Sequence, residues 1–90
     1  TIGARTVISQ RAHVCASTHD IHDPHFQLVL RPVTIGNRCW VAAEAFVGPG
    51  VTIGDRAVVG ARAALFGDAE PDGVYSGNPA ILIKHRALRD

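Results

Sequence analysis

The feature that most narrows the fold is a repeat with a six-residue step. Aliphatic residues followed by glycine stand at Ile2-Gly3, Ile35-Gly36, Val47-Gly48, Ile53-Gly54 and Val59-Gly60, and Ile8, Val14, Val41 and Leu65 keep the same phase. Four residues after each aliphatic comes a second, usually small side chain: Thr6, Ala12, Thr18, Cys39, Ala45, Val51, Ala57, Ala63 and Ala69. A helix would need apolar residues at three- and four-residue spacing, and each recurring glycine would cost it about 1 kcal/mol. Helix is thereby excluded. Short strands, each followed by a turn, satisfy the register, because the aliphatic residue points inward and the small residue permits the bend. Three strands close a triangular coil, and coils stacked ~4.8 Å apart set each aliphatic on the one below. The expected fold is all-β, a parallel β-helix of about three coils forming one domain over residues 1–90, with coils over about 2–19 and 33–70.

Between Asp20 and Pro32 the six-step phase breaks. Asp23-Pro24 marks a turn, and Phe26, Leu28, Val29 and Leu30 supply apolar surface. A loop over 20–32, thrown out from a coil corner, is expected to dock on a neighbouring copy of the same chain. Past Leu65 the pattern gives way to the turn-rich run 67–73, then to the apolar strip Ile81-Leu82-Ile83 and a basic tail of Lys84, His85, Arg86 and Arg89. Residues 71–90 are read as a C-terminal extension.

Composition removes several classes of function. Hydrophobic residues are 47% of the 90 and charged residues 19%, too apolar for disorder and too balanced for a membrane or nucleic-acid arm. A formal charge of +1 offers no field for polyanions, so nucleic acid is not an expected partner. No apolar run approaches the roughly 18 to 20 residues of a membrane span, and no basic-then-apolar leader opens the chain. Cytoplasmic localisation is expected, with Cys15 and Cys39 as reduced thiols. The chain contains no Met and opens in mid-pattern at Thr1-Ile2-Gly3, so either an upstream segment is missing or a short natural form is in view.

Three of the five histidines share the interruption, as His19-Asp20-Ile21-His22-Asp23-Pro24-His25. Imidazoles and carboxylates this close are ordinary ligands of first-row metals. A three-residue step shares a face only in a helix, however, and a proline-containing loop is not one, so no metal is expected. His22 and His25 read as solvated loop residues. His19 ends the hexad Val14–His19 at the corner where the loop begins, and a neutral imidazole is well suited to removing a proton near neutral pH. One coil after Ala43 stands Ala61, so two small residues should stack on one prism edge and leave a groove without side chains. An extended arm could lie there against backbone groups.

The segment Ser17-Thr18-His19-Asp20, a variable loop, then Pro32-Val33-Thr34-Ile35-Gly36-Asn37-Arg38-Cys39-Trp40-Val41-Ala42-Ala43 resembles the active-site segment of hexapeptide-repeat O-acetyltransferases. The likeness continues through Glu44-Ala45-Phe46-Val47-Gly48-Pro49-Gly50 and Val59-Gly60-Ala61-Arg62 to Ser76-Gly77-Asn78-Pro79-Ala80. It is strongest to the colanic-acid and exopolysaccharide biosynthesis branch. The resemblance implies a left-handed helix, an exception to the usual right-handed crossover. It also implies direct transfer of acetyl from acetyl-CoA to a sugar hydroxyl, without metal. His19 would then be general base, the Ala43 N–H would hold the developing oxyanion, and Asp20 and Trp40 would belong to the acceptor pocket. Gly60, Ala61, Asn78 and Pro79 match cofactor contacts, with Lys84 and Arg86 placed for the phosphates of CoA. The active unit implied is a homotrimer, His19 of one subunit facing the cofactor edge of the next. Phe66-Gly67 departs from the hydroxyl residue and lysine that many members carry there, and N-terminal coils that help bind the acceptor in related enzymes are absent from these residues. Two other functions remain open: a structural or binding β-helix without catalysis, and a metal-binding β-helix resembling γ-class carbonic anhydrases. The latter needs histidines at one-coil spacing, and one coil after His19 and His25 stand Asn37 and Ala43.

Overall fold

The computed structural model describes residues 1–19, 22–25 and 27–87, the side chain of His19 excepted. In chain order its strands are β1 (Val7–Ile8), β2 (His13–Val14), β3 (Ser17–His19), β4 (Leu28–Leu30), β5 (Thr34–Ile35) and β6 (Trp40–Val41). They continue as β7 (Phe46–Val47), β8 (Thr52–Ile53), β9 (Val58–Val59), β10 (Ala64–Leu65), β11 (Gly73–Gly77) and β12 (Ala80–His85). Parallel pairing sorts all but the β3–β4 hairpin and the antiparallel β12 into three faces. The first stacks Ile2, β5, β8 and Ala69, the second β1, β6, β9 and β11, and the third β2, β7 and β10. Three coils and the start of a fourth result.

Each two-residue strand turns one side chain in and one out, and the inward residues are those of the six-step repeat. Ile35, Val41, Val47, Ile53, Val59 and Leu65 are at most 2% exposed, as are the small inward residues Cys39, Ala45, Ala57 and Ala63. Full burial of each large aliphatic contributes about 1.5–3 kcal/mol, so the column is the main source of cohesion. At the first coil Ile2 and Ile8 belong to the same column yet remain exposed.

The corners explain the rest of the repeat. The turn between the first and second faces runs through Ala4-Arg5, Asn37-Arg38, Asp55-Arg56 and Pro71-Asp72. Here the Asn37 Oδ1 accepts the Ala4 N–H and the Asp55 Oδ1 accepts the Asn37 N–H, both at 2.8 Å. A side chain from each coil thus folds down over the coil below, and only glycine leaves room beneath it. A Cβ at Gly36 would stand 2.9 Å from the Asp55 nitrogen and closer still to its carboxylate. At Gly54 a Cβ would meet Pro71 at 2.7 Å. All the corners from Ala4 to Arg62 that stay on the prism take one residue through the left-handed region, and the turn 66–68 does not. Arg5, Arg11, Arg38, Glu44, Arg56 and Arg62 have φ between 56° and 64°, and Gly50 continues the six-step series at 75°.

The interruption departs from expectation at both ends. The third face of the first coil ends at Cys15, whose N–H donates to the Val47 carbonyl. Ser17–His19 then leaves the prism and pairs antiparallel with Leu28–Leu30, Thr18 opposite Val29. Thr18 is therefore not an inward coil residue, and Val33 takes that place at 6% exposure. Nor is the segment 20–32 all loop: Leu28-Val29-Leu30 is an aliphatic run close in sequence to Ser17–His19, so a local ladder forms there. At its base the Arg31 N–H donates to the Ala16 carbonyl (2.8 Å) and the Gly50 N–H to the Arg31 carbonyl (2.9 Å). The coil resumes at Val33 in unbroken phase. Past residue 71, β11 lies parallel on β9 as part of the prism, and only β12 turns back on it.

Candidate active site

The second prism edge, between the second and third faces, passes through Gln10-Arg11, Ala43-Glu44 and Ala61-Arg62 and ends at the Asn78-Pro79 turn joining β11 to β12. Main-chain bonds tie its levels together: the Glu44 N–H donates to the Gln10 carbonyl (3.1 Å) and the Arg62 N–H to the Ala43 carbonyl (3.0 Å). The Gly60 N–H donates to the Tyr75 carbonyl, and a Cβ at Gly60 would stand 3.1 Å from that oxygen. Ala43, Gly60, Ala61, Asn78 and Pro79 are thus brought to one edge, the last two joined by a cis peptide.

This edge differs from the first in one respect that matters chemically. At the first edge the Ala4 and Asn37 N–H groups are taken by the Asn37 and Asp55 side chains of the coil above, whereas Asp55 lies under Pro71 and receives no such side chain. At the second, Ala43 lies over Gln10 and Ala61 over Ala43, and the β11 end at Gly77 follows above Ala61, so no overlying side chain there offers an acceptor. Among the described residues neither the Ala43 nor the Ala61 N–H has an acceptor. Ala42, moreover, carries a methyl group where the first edge has Gly3, Gly36 and Gly54. By analogy with the contact a Cβ at Gly36 would make, that methyl obstructs a carboxylate folded down over Ala43. The result is a side-chain-poor track with two unclaimed donors one coil apart. The signal for Ala42 in the sequence is Val41-Ala42-Ala43 set against Ile35-Gly36-Asn37 and Ile53-Gly54-Asp55, and its meaning comes only from the hydrogen bonds.

Trp40 opens β6 on the outer side of the second face, its neighbours in register being Val7 and Val58. The indole is 46% exposed, and its Nε1–H donates to the Ser9 Oγ at 2.9 Å. Ser9 immediately precedes Gln10, so the ring is drawn toward the second edge, on the coil below Ala43. Ser9 was not singled out by sequence reasoning, because a serine after Ile8 carries no motif.

Other expected site residues lie elsewhere or outside view. The His19 backbone is in β3 opposite Leu28, whereas its side chain and Asp20 lie outside the described residues, as does Arg89. Lys84 and Arg86 do not reach the second edge. Lys84 pairs with Val74, and the Arg86 Nη1 donates to the carbonyls of Arg38 and Arg56 at the first edge. The physical cause is the reversal of β12, which carries the tail back across the second face. His13 packs edge-on against Phe46, itself 5.8 Å from Phe66, so the histidine of the third face has an aromatic neighbour rather than another imidazole. Among the described residues no three His, Cys, Asp or Glu side chains gather as a metal site would need.

Residues 32–67 match the family described as bacterial transferase hexapeptide (six repeats). Over 86 residues, 96% of the chain, the sequence is 48% identical to a protein of Escherichia coli K12 named "Putative colanic acid biosynthesis acetyltransferase WcaF", of which it covers 47%. Residues 32–67 thus carry the hexapeptide repeat of bacterial transferases, and the chain as a whole is similar to these acetyltransferases. It is also 32% identical to the galactoside O-acetyltransferase of E. coli K12, over its whole length and 46% of that protein. A solved galactoside acetyltransferase in complex with coenzyme A superposes with a TM-score of 0.86 at 30% identity, over 93% of this chain and 44% of that one. A Vibrio cholerae hexapeptide-repeat acetyltransferase complexed with acetyl-CoA gives 0.87 at 26% identity, over 99% and 49%. The coils are accordingly those of a left-handed parallel β-helix. The chain spans about half the length of the curated relatives it matches.

Proposed function

We propose that these residues form the donor-binding and catalytic part of an acetyl-CoA-dependent O-acetyltransferase acting on a sugar or polysaccharide-precursor hydroxyl. The observation that carries the reading is the open edge at Ala43 and Ala61. An extended pantetheine arm bears amide carbonyls along its length, and two unclaimed N–H groups on a smooth track suit such an arm. The relatives named above, two of them solved with coenzyme A or acetyl-CoA, favour the same donor.

In this reading His19 takes the proton from the acceptor hydroxyl as its oxygen attacks the thioester carbonyl. The Ala43 N–H stabilises the charge that grows on the carbonyl oxygen. The carbon–sulfur bond then breaks, the acetyl group stays on the acceptor oxygen, and the proton held by His19 passes to the departing thiolate. Trp40 walls the acceptor side, joined by Asp20. Lys84, in β12 opposite Val74, and Arg86, at the first edge, would meet phosphates only across a subunit seam. A homotrimer in which His19 faces the cofactor edge of the next copy accommodates that placement.

The test closes the edge. In an Ala42→Gly/Ala61→Asp variant the second corner copies the first, its carboxylate accepting the Ala43 N–H over a glycine. The expected outcome by calorimetry is loss of acetyl-CoA binding with thermal stability kept or raised. Undiminished binding would overturn the assignment of the edge. His19→Ala should abolish thiol release from acetyl-CoA in the presence of a sugar acceptor while leaving donor affinity within about twofold, the pattern of a group acting in the chemical step.

A further inference from the structure

We infer that Ser9 is a positioning residue for acceptor recognition, acting through Trp40. The inference rests on the reading of Trp40 as the acceptor wall and adds what fixes that wall in place. An indole on an outer strand position has two rotatable bonds and, at 46% exposure, little packing to choose among its rotamers. Val7 below it in register is itself 55% exposed and supplies a surface without direction. Among the described residues the one directional contact of the ring is the Nε1–H bond to the Ser9 Oγ, 2.9 Å long and crossing from the second coil to the first.

The backbone holds that acceptor still. The Ser9 N–H donates to the Val41 carbonyl (2.9 Å), and its own carbonyl accepts the Ala12 N–H (3.2 Å), so the hydroxyl is carried on main chain bonded on both sides. Ser9 also adjoins Gln10, whose carbonyl accepts from Glu44, the residue after Ala43. The hydroxyl therefore ties the ring toward the edge bearing the open Ala43 N–H. A flat apolar ring kept beside that edge presents its face to whatever brings a hydroxyl to the thioester. The ring of a pyranose, with axial C–H groups on one side, is the acceptor chemistry it fits. A ring set free would still offer area, but at an entropic cost on each binding event.

The chain contains a single Trp, so its fluorescence reports on this ring alone. The probes are acetyl-CoA and 4-nitrophenyl β-D-galactopyranoside with the Ser9→Ala, Ser9→Thr and Trp40→Ala variants. Ser9→Ala should shift emission and raise acrylamide quenching. It should also raise KM for the galactoside about fivefold, the worth of one hydrogen bond, with KM for acetyl-CoA unchanged. Ser9→Thr, which keeps the hydroxyl, should restore all three values. Emission and quenching in Ser9→Ala identical to the unsubstituted protein overturn the inference with no turnover needed. An equal rise in both KM values does so too, since it marks a general loss of structure. If Trp40→Ala changes galactoside KM and Ser9→Ala does not, the inference about Ser9 fails while the acceptor wall stands. If Trp40→Ala leaves galactoside KM unchanged, the wall and the inference fall together.

Discussion

Gly36 shows how much of this architecture is decided by single atoms. Its missing Cβ leaves space for the Asp55 carboxylate to fold down and satisfy the Asn37 N–H, and a methyl there would displace backbone as well as side chain. Gly36→Ala should therefore cost about 1–3 kcal/mol in urea unfolding, the range of an overpacked site. Gly67→Ala, where a Cβ meets nothing within 4 Å, should be neutral or slightly stabilising. The aliphatic half of each hexad was legible because burial selects for it. The distinction between glycine and alanine at 36 and 42 was present too, but only the hydrogen bonds reveal that the first closes a donor and the second leaves one open. His19 was set apart from His22 and His25 by closing the hexad Val14–His19, but its role as a base was reached through resemblance.

At the level of strands and corners, the C-terminal hairpin is fastened where Arg56 bridges Asp72 through two bonds of 2.7 and 3.1 Å, and Arg86 follows alongside. The hydrogen bonds from Arg56 hold the Asp72 carboxyl below its ordinary 3.8 against the opposing effect of desolvation, with the Arg56 charge adding to the lowering. A depressed folded value means the contribution is complete above the ordinary carboxylate range and is lost as pH falls through the depressed value. Thermal unfolding should thus show an acid-side fall in stability that Asp72→Asn lacks, the variant being the less stable of the two at neutral pH. Equal pH profiles for the two proteins would contradict this role. The hairpin β3–β4 was only half legible. Its apolar residues announced a protrusion, but antiparallel pairing of Ser17–His19 competes locally with the hexad phase, and that competition cannot be read from periodicity alone.

For the whole molecule, the proposed trimer makes a demand on the protruding hairpin. Leu28 and Leu30 are 59% and 73% exposed in the single chain, which is costly unless another surface covers them. Sedimentation should find a species of three chains, and Leu30→Glu should shift it toward the single chain with the strand signature in circular dichroism retained. A single-chain species for the unsubstituted protein would remove the subunit seam from the mechanism. Fold class followed from the repeat because a solenoid is nearly one-dimensional, each coil meeting only its neighbours. Assembly left no such periodic trace.

The pinch at Ala16, Arg31 and Gly50 works as a socket. Because the two arms of the insert are fastened to each other and to the coil above before Val33 takes up the beat again, the prism senses the attachment point but not what is plugged into it. Lengthening such an insert adds only a slowly growing entropic penalty. One bearing could therefore carry many different fittings, each exchanged at that corner while the stacked coils beneath stay as they are.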